Sequence, residues 1–270
     1  MDFLCLALIL FVLCLLILFA IKPNRKRLVK GMKGRAFAHR GLHDQEVPEN
    51  SLAAFRAAKE QGYPVELDVQ YTKDKQVVVF HDPVLTRMCG IEKRVAELSY
   101  EELSAYPLKN TEEHIPLFSE VLKVLDGTDI ICEIKDYAGP ETDALCRDTY
   151  SLFQHYRGRV FVESFAPRVL YWFRKNQPQV IRGQLSRYGT LRDQDFSAVS
   201  MFLLRTLMVN LRGRPDFIAY DFHKQGLCCR LCRKLFHPVF VVWTARGEEE
   251  QKIAKKGADA IIFEKNPISI

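Results

Sequence analysis

Short apolar runs alternate with amphipathic helical segments along this 270-residue chain. Together they predict an α/β fold, a TIM (β/α)8 barrel preceded by a single N-terminal transmembrane helix. Three observations carry the prediction. The strand-like runs number near eight and are joined by short helical units, the pattern of parallel β/α architecture. No G-x-G-x-x-G follows any of them, which disfavours a doubly wound dinucleotide-binding sheet. Residues Phe3–Ile21, FLCLALILFVLCLLILFAI, contain no charge, proline or glycine. As a helix they reach about 28 Å, close to the ~30 Å hydrocarbon core of a bilayer. The remaining length suits one barrel of about 250 residues.

The apolar run comes first in order. A cleaved signal peptide wants positive charge before its apolar core and a small-x-small site after it. Here Asp2 precedes the run and Lys22-Pro23-Asn24 follows Ile21, so the segment reads as a retained span. Residues 22–35 form a basic juxtamembrane segment with Lys22, Arg25, Lys26, Arg27, Lys30, Lys33 and Arg35. The positive-inside rule then places the following domain in the cytoplasm, on a single-pass cell-membrane protein. Such a cluster also attracts anionic headgroups, at about 1 kcal/mol per residue near the surface. Outside this segment basic and acidic residues balance, so the net +6 is no diffuse nucleic-acid footprint. If the run meets only lipid, a chain begun near Lys33 is expected to fold alone and stay active.

Residues 36–270 supply the barrel. Strands are predicted at 36–38, 65–69 and 77–80, with a helix at 51–61 between the first two, where Leu52, Phe55 and Ala58 share a face and Gly62 stops it. Residues 83–116 are less regular and read as a small insertion with a helix around 96–105. Helices at 118–125, 141–156 and 167–176 alternate with strands at 129–134, 159–163 and 179–185. Residues 202–211 fit helix or strand equally. Strands at 216–220, 239–243 and 260–263, with helices between them, complete the series.

Chemistry concentrates between Ala36 and Asp82. Glu66 and Asp68 alternate with Val65, Leu67 and Val69, so both carboxylates point to one face of a strand. Burying two adjacent carboxylates costs several kcal/mol unless a cation sits between them. A hard divalent ion, Ca2+ or Mg2+, suits oxygen ligands. His39-Arg40 and His81-Asp82 end the strands on either side. In barrels of this kind chemistry sits at the C-terminal strand ends, where His39, His81, Glu133 and Trp243 fall.

The ordered set His39-Arg40-Gly41, Pro48-Glu49-Asn50-Ser51, Ala54-Phe55-x-x-Ala58, Glu66-Leu67-Asp68-Val69 and His81-Asp82 resembles the glycerophosphodiester phosphodiesterase family, as a membrane-anchored member of bacterial type. The later fragments Cys132-Glu133-Ile134-Lys135, Ser164-Phe165 and Val242-Trp243-Thr244 resemble its L-E-I-K, S-F and V-W-T, and Arg182-Gly183 its R-G strand more loosely. Two departures stand near the end. Ala245-Arg246 replaces a hydrophobic residue and Asn, and Phe263-Glu264 replaces a T-D pair. Both touch the rim, where substrate selection occurs.

The resemblance implies metal-dependent hydrolysis of glycerophosphodiesters to glycerol 3-phosphate and an alcohol. His39 and His81 would be acid and base, and Glu66, Asp68 and Glu133 the metal ligands. Arg40 is suited to fork onto phosphate oxygens, Lys135 to balance charge, and Phe165 and Trp243 to line the mouth for glycerol or the alcohol. Two other readings stand beside it: a lysophospholipase D-like activity on membrane lysophospholipids, and a non-catalytic membrane-anchored binding protein. His43, His114, His155, His223 and His237 read as structural. Cys229-x-x-Cys232 lies in a helix without a second ligand pair, and reads as packing rather than a metal or redox site.

Overall fold

The computed structural model describes residues 3–24, 29, 31–190 and 196–264, so Arg25, Lys26, Arg27 and Lys30 of the basic segment lie outside the described residues. In chain order the elements are α1 (Phe3–Ile21), β1 (Ala36–His39), α2 (Leu52–Glu60), β2 (Val65–Tyr71), β3 (Val77–Val79), α3 (Thr86–Cys89), α4 (Tyr100–Ser104), α5 (Phe118–Leu125), β4 (Ile130–Ile134), α6 (Thr142–Phe153), β5 (Val160–Ser164), α7 (Pro167–Asn176), β6 (Arg182–Ser186), α8 (Ala198–Arg205), α9 (Asn210–Gly213), β7 (Phe217–Asp221), α10 (Leu227–Phe236), β8 (Val239–Arg246), α11 (Gly247–Gly257) and β9 (Ala260–Glu264). Eight strands, all but β3, are parallel, and β1 closes the ring by pairing with both β2 and β9. The result is a TIM barrel. The stretch 202–211, which fits two templates by pattern, holds the end of α8, a turn at 206–209 and the start of α9.

The run 77–80 differs from the barrel strands. β3 pairs antiparallel with β2, Val69 opposite Val79. Only a short turn separates the two strands, too little chain for a parallel crossover. Beyond it, Phe80, Leu85, Met88, Val95, Leu103 and Ile115 bury one another in a small cluster of their own. That cluster gives the insertion its own core.

Period-two alternation divides the barrel residues into two sets. Val65, Leu67, Ile130, Cys132 and Val162 pack with helix residues such as Phe55, Val121 and Leu170 in the layer between strands and helices. Phe37, Ile131, Phe161, Phe217, Val241 and Ile262 fill the interior, Phe37 meeting Phe161 edge-to-face at 6.3 Å. At Gly183 a Cβ would lie 2.1 Å from the Phe217 ring, so glycine is what admits that ring. Above these apolar residues the next inward positions are ionisable: His39 over Phe37, Glu133 over Ile131, Glu163 over Phe161. A dry floor thus carries a charged site.

Helix α1 is long and apolar enough to cross a membrane, and only Ala20 and Ile21 of it are buried. Its last turn is docked on the barrel. Asn210 Nδ2 donates to Ile21 O at 2.8 Å, and Arg214 Nη1 donates to Phe19 O and Lys22 O at 2.7 and 2.8 Å. These bonds satisfy carbonyls that a helix end leaves open. Ile21 belongs to the strand–helix core, while Val29 and Met32 join the barrel interior. This corrects the expectation that the segment before Lys33 meets only lipid: Ile21, Val29 and Met32 also pack against the base of the barrel.

Candidate active site

His39, Arg40 and Gly41 leave β1 in a tight reversal. Arg40 and Gly41 have φ of 55° and 80°, and a Cβ on Gly41 would lie 2.8 Å from Ala54. Glycine here lets α2 approach, and Ser51 caps that helix by accepting from Ala54 N. The turn brings the Arg40 amide to Glu66 Oε2 at 3.2 Å, with His39 Nε2 3.8 Å from the same oxygen. Across the sheet Asp68 is level with Glu133, and Glu133 with Glu163. One oxygen each from Glu66, Asp68 and Glu133 lie within 4.8 Å of one another, all three residues being buried.

Two cations answer this charge. Lys135 Nζ sits 2.8 Å from both Asp68 Oδ1 and Glu133 Oε2. Arg40 pairs through Nε with Asp68 Oδ2 at 3.3 Å and through Nη1 with Glu49 Oε1 at 2.6 Å. Asn50 Nδ2 donates to Asp68 Oδ2 at 2.9 Å. Burial, with Asp68 and Glu163 alongside, pushes the Glu66 carboxyl well above its usual range. Burial likewise raises Glu133 and Glu163. Burial would raise Asp68 too, but Lys135, His81 and Arg40 outweigh it and hold that carboxyl well below the usual range. Three carboxyls pushed above their usual range beside Asp68 mark an all-oxygen donor set short of positive charge, which fits one divalent ion.

The two histidines differ in their surroundings, His39 being buried and His81 bonded to a carboxylate. Burial, reinforced by Arg40, keeps the His39 imidazole well below its ordinary pKa and therefore neutral near pH 7. His81 follows β3 rather than a barrel strand, and Gln70 fixes the turn by donating to Phe80 O and Asp82 O, both at 2.8 Å. His81 Nδ1 meets Asp82 Oδ1 at 2.6 Å. Asp82 then accepts from Arg87 Nε at 2.7 Å, and Arg87 forks onto Glu49 at 2.7 and 2.8 Å. A continuous chain of charged contacts therefore runs His81–Asp82–Arg87–Glu49–Arg40–Asp68. At the mouth Phe165 and Trp243 meet edge-to-face at 5.6 Å on top of the apolar floor.

The family model for the glycerophosphoryl diester phosphodiesterase family matches residues 39–265, nearly the whole barrel. The chain belongs to that family. It is accordingly an enzyme of the phosphoric diester hydrolase class. Among curated relatives, glycerophosphodiester phosphodiesterase of Caldanaerobacter subterraneus subsp. tengcongensis is 30% identical over 246 residues, 86% of this chain and 94% of its own. Glycerophosphodiester phosphodiesterase 1 of Bos taurus is 31% identical over 251 residues, 78% of this chain and 75% of its own. Lysophospholipase D GDPD1 of Rattus norvegicus is 38% identical over 114 residues, 37% of this chain and 36% of its own. The solved structure of an Oleispira antarctica phosphodiesterase with sn-glycerol-3-phosphate shares the fold at a TM-score of 0.69 and 21% identity, over 86% of this chain and 93% of that one.

All nine site residues read from the phosphodiesterase sequence lie at the C-terminal half of this barrel. Glu66, Asp68 and Glu133 cluster, Lys135 and Arg40 pair with members of that cluster and His39 lies beside Glu66, with His81 near them and Phe165 and Trp243 above. Arg40 is turned onto Asp68 and Glu49. Pattern reading missed Glu163, Asn50, Glu49 and Arg87. Glu163 directly precedes the Ser164-Phe165 fragment, and Glu49 and Asn50 stand inside Pro48-Glu49-Asn50-Ser51, so a signal existed for these three. Arg87, in the irregular insertion, offered none. At the rim the two departures from the family pattern compensate: Arg246 Nε donates to Glu264 Oε2 at 2.7 Å.

Proposed function

We propose that this enzyme hydrolyses glycerophosphodiesters to glycerol 3-phosphate and an alcohol, with a divalent ion, Ca2+ or Mg2+, held by Glu66, Asp68 and Glu133. The observation that carries the reading is the buried triad of carboxylates flanked by two histidines, His39 buried beside Glu66 and His81 bonded to Asp82. The bound ion would supply charge for the phosphate oxygens as they gain negative character. The chain's own residues do the rest. His39, kept neutral by burial, takes the proton from the attacking oxygen, either water or the neighbouring glycerol hydroxyl; in the second case the cyclic phosphate that forms is then opened by water to give glycerol 3-phosphate. His81, its Nδ1 held by Asp82, gives a proton to the alcohol oxygen as its bond to phosphorus breaks. Arg40 and Lys135 lie where non-bridging oxygens arrive, and Phe165 and Trp243 line the mouth for the organic groups.

The remaining assignments belong to the same proposal. Residues 3–21 span the membrane, 22–35 lie at its surface, and 36–270 form the catalytic domain with its insertion around 83–116. The basic segment after α1 argues for a cytoplasmic barrel by the positive-inside rule. A lysophospholipase D-like activity is the second reading, favoured by the rat relative's name and by the anchor. A panel of glycerophosphocholine, glycerophosphoethanolamine and lysophosphatidylcholine tests both. Release of glycerol 3-phosphate from the first two supports the main proposal. Cleavage of the lysolipid alone replaces it with the second, and no turnover on any of the three removes both.

A further inference from the structure

The joint between α1 and the barrel decides which way the site faces. Helix α1 meets the barrel at Asn210, Arg214 and Cys232, and Asn24 Nδ2 donates to Asp216 Oδ1 at 2.7 Å. Asp216 directly precedes β7, and Val29 and Met32 lie among the lowest interior side chains. All these contacts are at the N-terminal ends of the strands. The residues from Phe3 to Ile17 stay exposed, so α1 projects away from the barrel rather than along it. The Arg214 guanidinium stacks 4.5 Å from the Phe19 ring centroid and, with its two carbonyl bonds, makes the joint stiff. His39, Glu133 and the mouth lie at the opposite ends of the strands. Five residues of strand, about 16 Å, and the loops above them separate the two faces.

The distribution of charge points the same way. In a β/α barrel the outer helices run against the strands, so their C-terminal ends gather on the anchor's face. Arg174 and Lys175 end α7, Arg233 and Lys234 end α10, and Lys255 and Lys256 end α11. The helix macrodipole favours cations at such ends. Their common position nonetheless turns a chain of balanced charge into one with a basic base, to which Lys33 and Arg35 add. The rim of the mouth is mixed in sign: Glu248, Glu249 and Glu250 open α11 next to Arg246 and Lys252. A basic base attracts anionic headgroups more strongly than a mixed rim does.

We infer that the anchor seats the barrel base-down on the bilayer with its catalytic mouth turned to the aqueous phase, so that its substrates are water-soluble phosphodiesters rather than lysolipids of its own membrane. The substrate half of this inference rests on the phosphodiesterase reading above, and the orientation half on the reading of α1 as the membrane span together with the geometry of its joint. A lysolipid phosphate lies at the headgroup level beside the base, and reaching the carboxylates would require leaving the bilayer.

The test uses the full chain reconstituted in phosphatidylcholine–phosphatidylglycerol vesicles containing lipids with a headgroup quencher. A fluorescent amino acid is placed either at position 33 beside the base or at position 248 beside the mouth. Loss of most emission at 33 and almost none at 248 is the expected result. Equal quenching at both, or stronger quenching at 248, overturns the orientation. In parallel, vesicles holding lysophosphatidylcholine are given external glycerophosphocholine. Release of choline from the soluble diester, with the lysolipid left intact, supports the substrate class. Lysolipid cleavage at a comparable rate overturns it while leaving the phosphodiesterase reading in place. No release from either substrate, with the quenching pattern as expected, overturns the phosphodiesterase reading and not the orientation.

Discussion

Cutting the chain at the base of the barrel should be far more damaging than removing the exposed part of the apolar helix α1. A form beginning at Lys33 loses Ile21, Val29 and Met32, none of which is more than 4% exposed. Full burial of one such side chain contributes about 1.5–3 kcal/mol, so the three together contribute about 5–9 kcal/mol as an upper figure. The open base adds a cavity cost. Whole domains are stable by only about 5–15 kcal/mol. A form beginning at Ala20 loses almost none of this, since the earlier α1 residues are uncovered, and it keeps the Asn210 bond to Ile21 O. The assay is thermal unfolding of both soluble forms by circular dichroism. At about 2–4 °C per kcal/mol for a domain near this size, the shorter form should melt at least 10 °C lower or fail to fold. Melting points within about 2 °C of each other would refute the reasoning, because plugging residues worth several kcal/mol must move the midpoint further.

Two further outcomes follow from the site. His39→Ala and His81→Ala should each lose about 10²–10⁴-fold in kcat while the fold is retained. A glycerophosphodiester with a p-nitrophenyl leaving group needs no acid, so it should rescue His81→Ala and not His39→Ala; rescue of His39→Ala instead would reverse the two roles. Acid stability should depend on Glu49. Although burial alone would raise it, bonds from Arg87 and then Arg40 hold its carboxyl at about 2, against an ordinary 4.5. A depressed carboxylate contributes its stabilisation above the unfolded pKa and loses it as pH falls through the folded one, here on the order of 3 kcal/mol between about pH 5 and 2. Denaturant titrations across that window should be markedly flatter for Glu49→Gln, and parallel curves for the two proteins would show that Glu49 is not the group responsible.

Much of this architecture is local, and local features are legible. Helix α5 lies over residues 118–125 as its apolar spacing requires, and the alternation around Glu66 and Asp68 places both inward. What escaped the pattern was contact across long separations. Val77, Val78 and Val79 look like any buried strand; only the short connection from β2 says that they must run antiparallel. Glu49 and Arg87 are each polar residues of loops until folding brings them together. Asn210 and Arg214 sit beside a stretch that fits helix or strand, and nothing near them announces a bond to the end of α1. Val29 and Met32 were read as part of a basic segment because charge dominates their neighbours. Glu66, Asp68 and Glu133 were legible because they ride on strands with a fixed period, whereas Glu49, Asn50 and Arg87, which bond to Arg40, Asp68 and Asp82, come from outside the barrel strands.

The central claim is that a divalent ion on Glu66, Asp68 and Glu133 works with two histidines to cleave a glycerophosphodiester. The most direct test is the rate of glycerol 3-phosphate release from glycerophosphocholine by chelator-treated protein, before and after Mg2+ or Ca2+ is returned. Loss of several kcal/mol of charge stabilisation corresponds to about 10²–10³-fold or more in rate. The account predicts a fall of that size and full recovery with the ion, and no recovery in Asp68→Asn. An undiminished rate in the chelator-treated protein would contradict it.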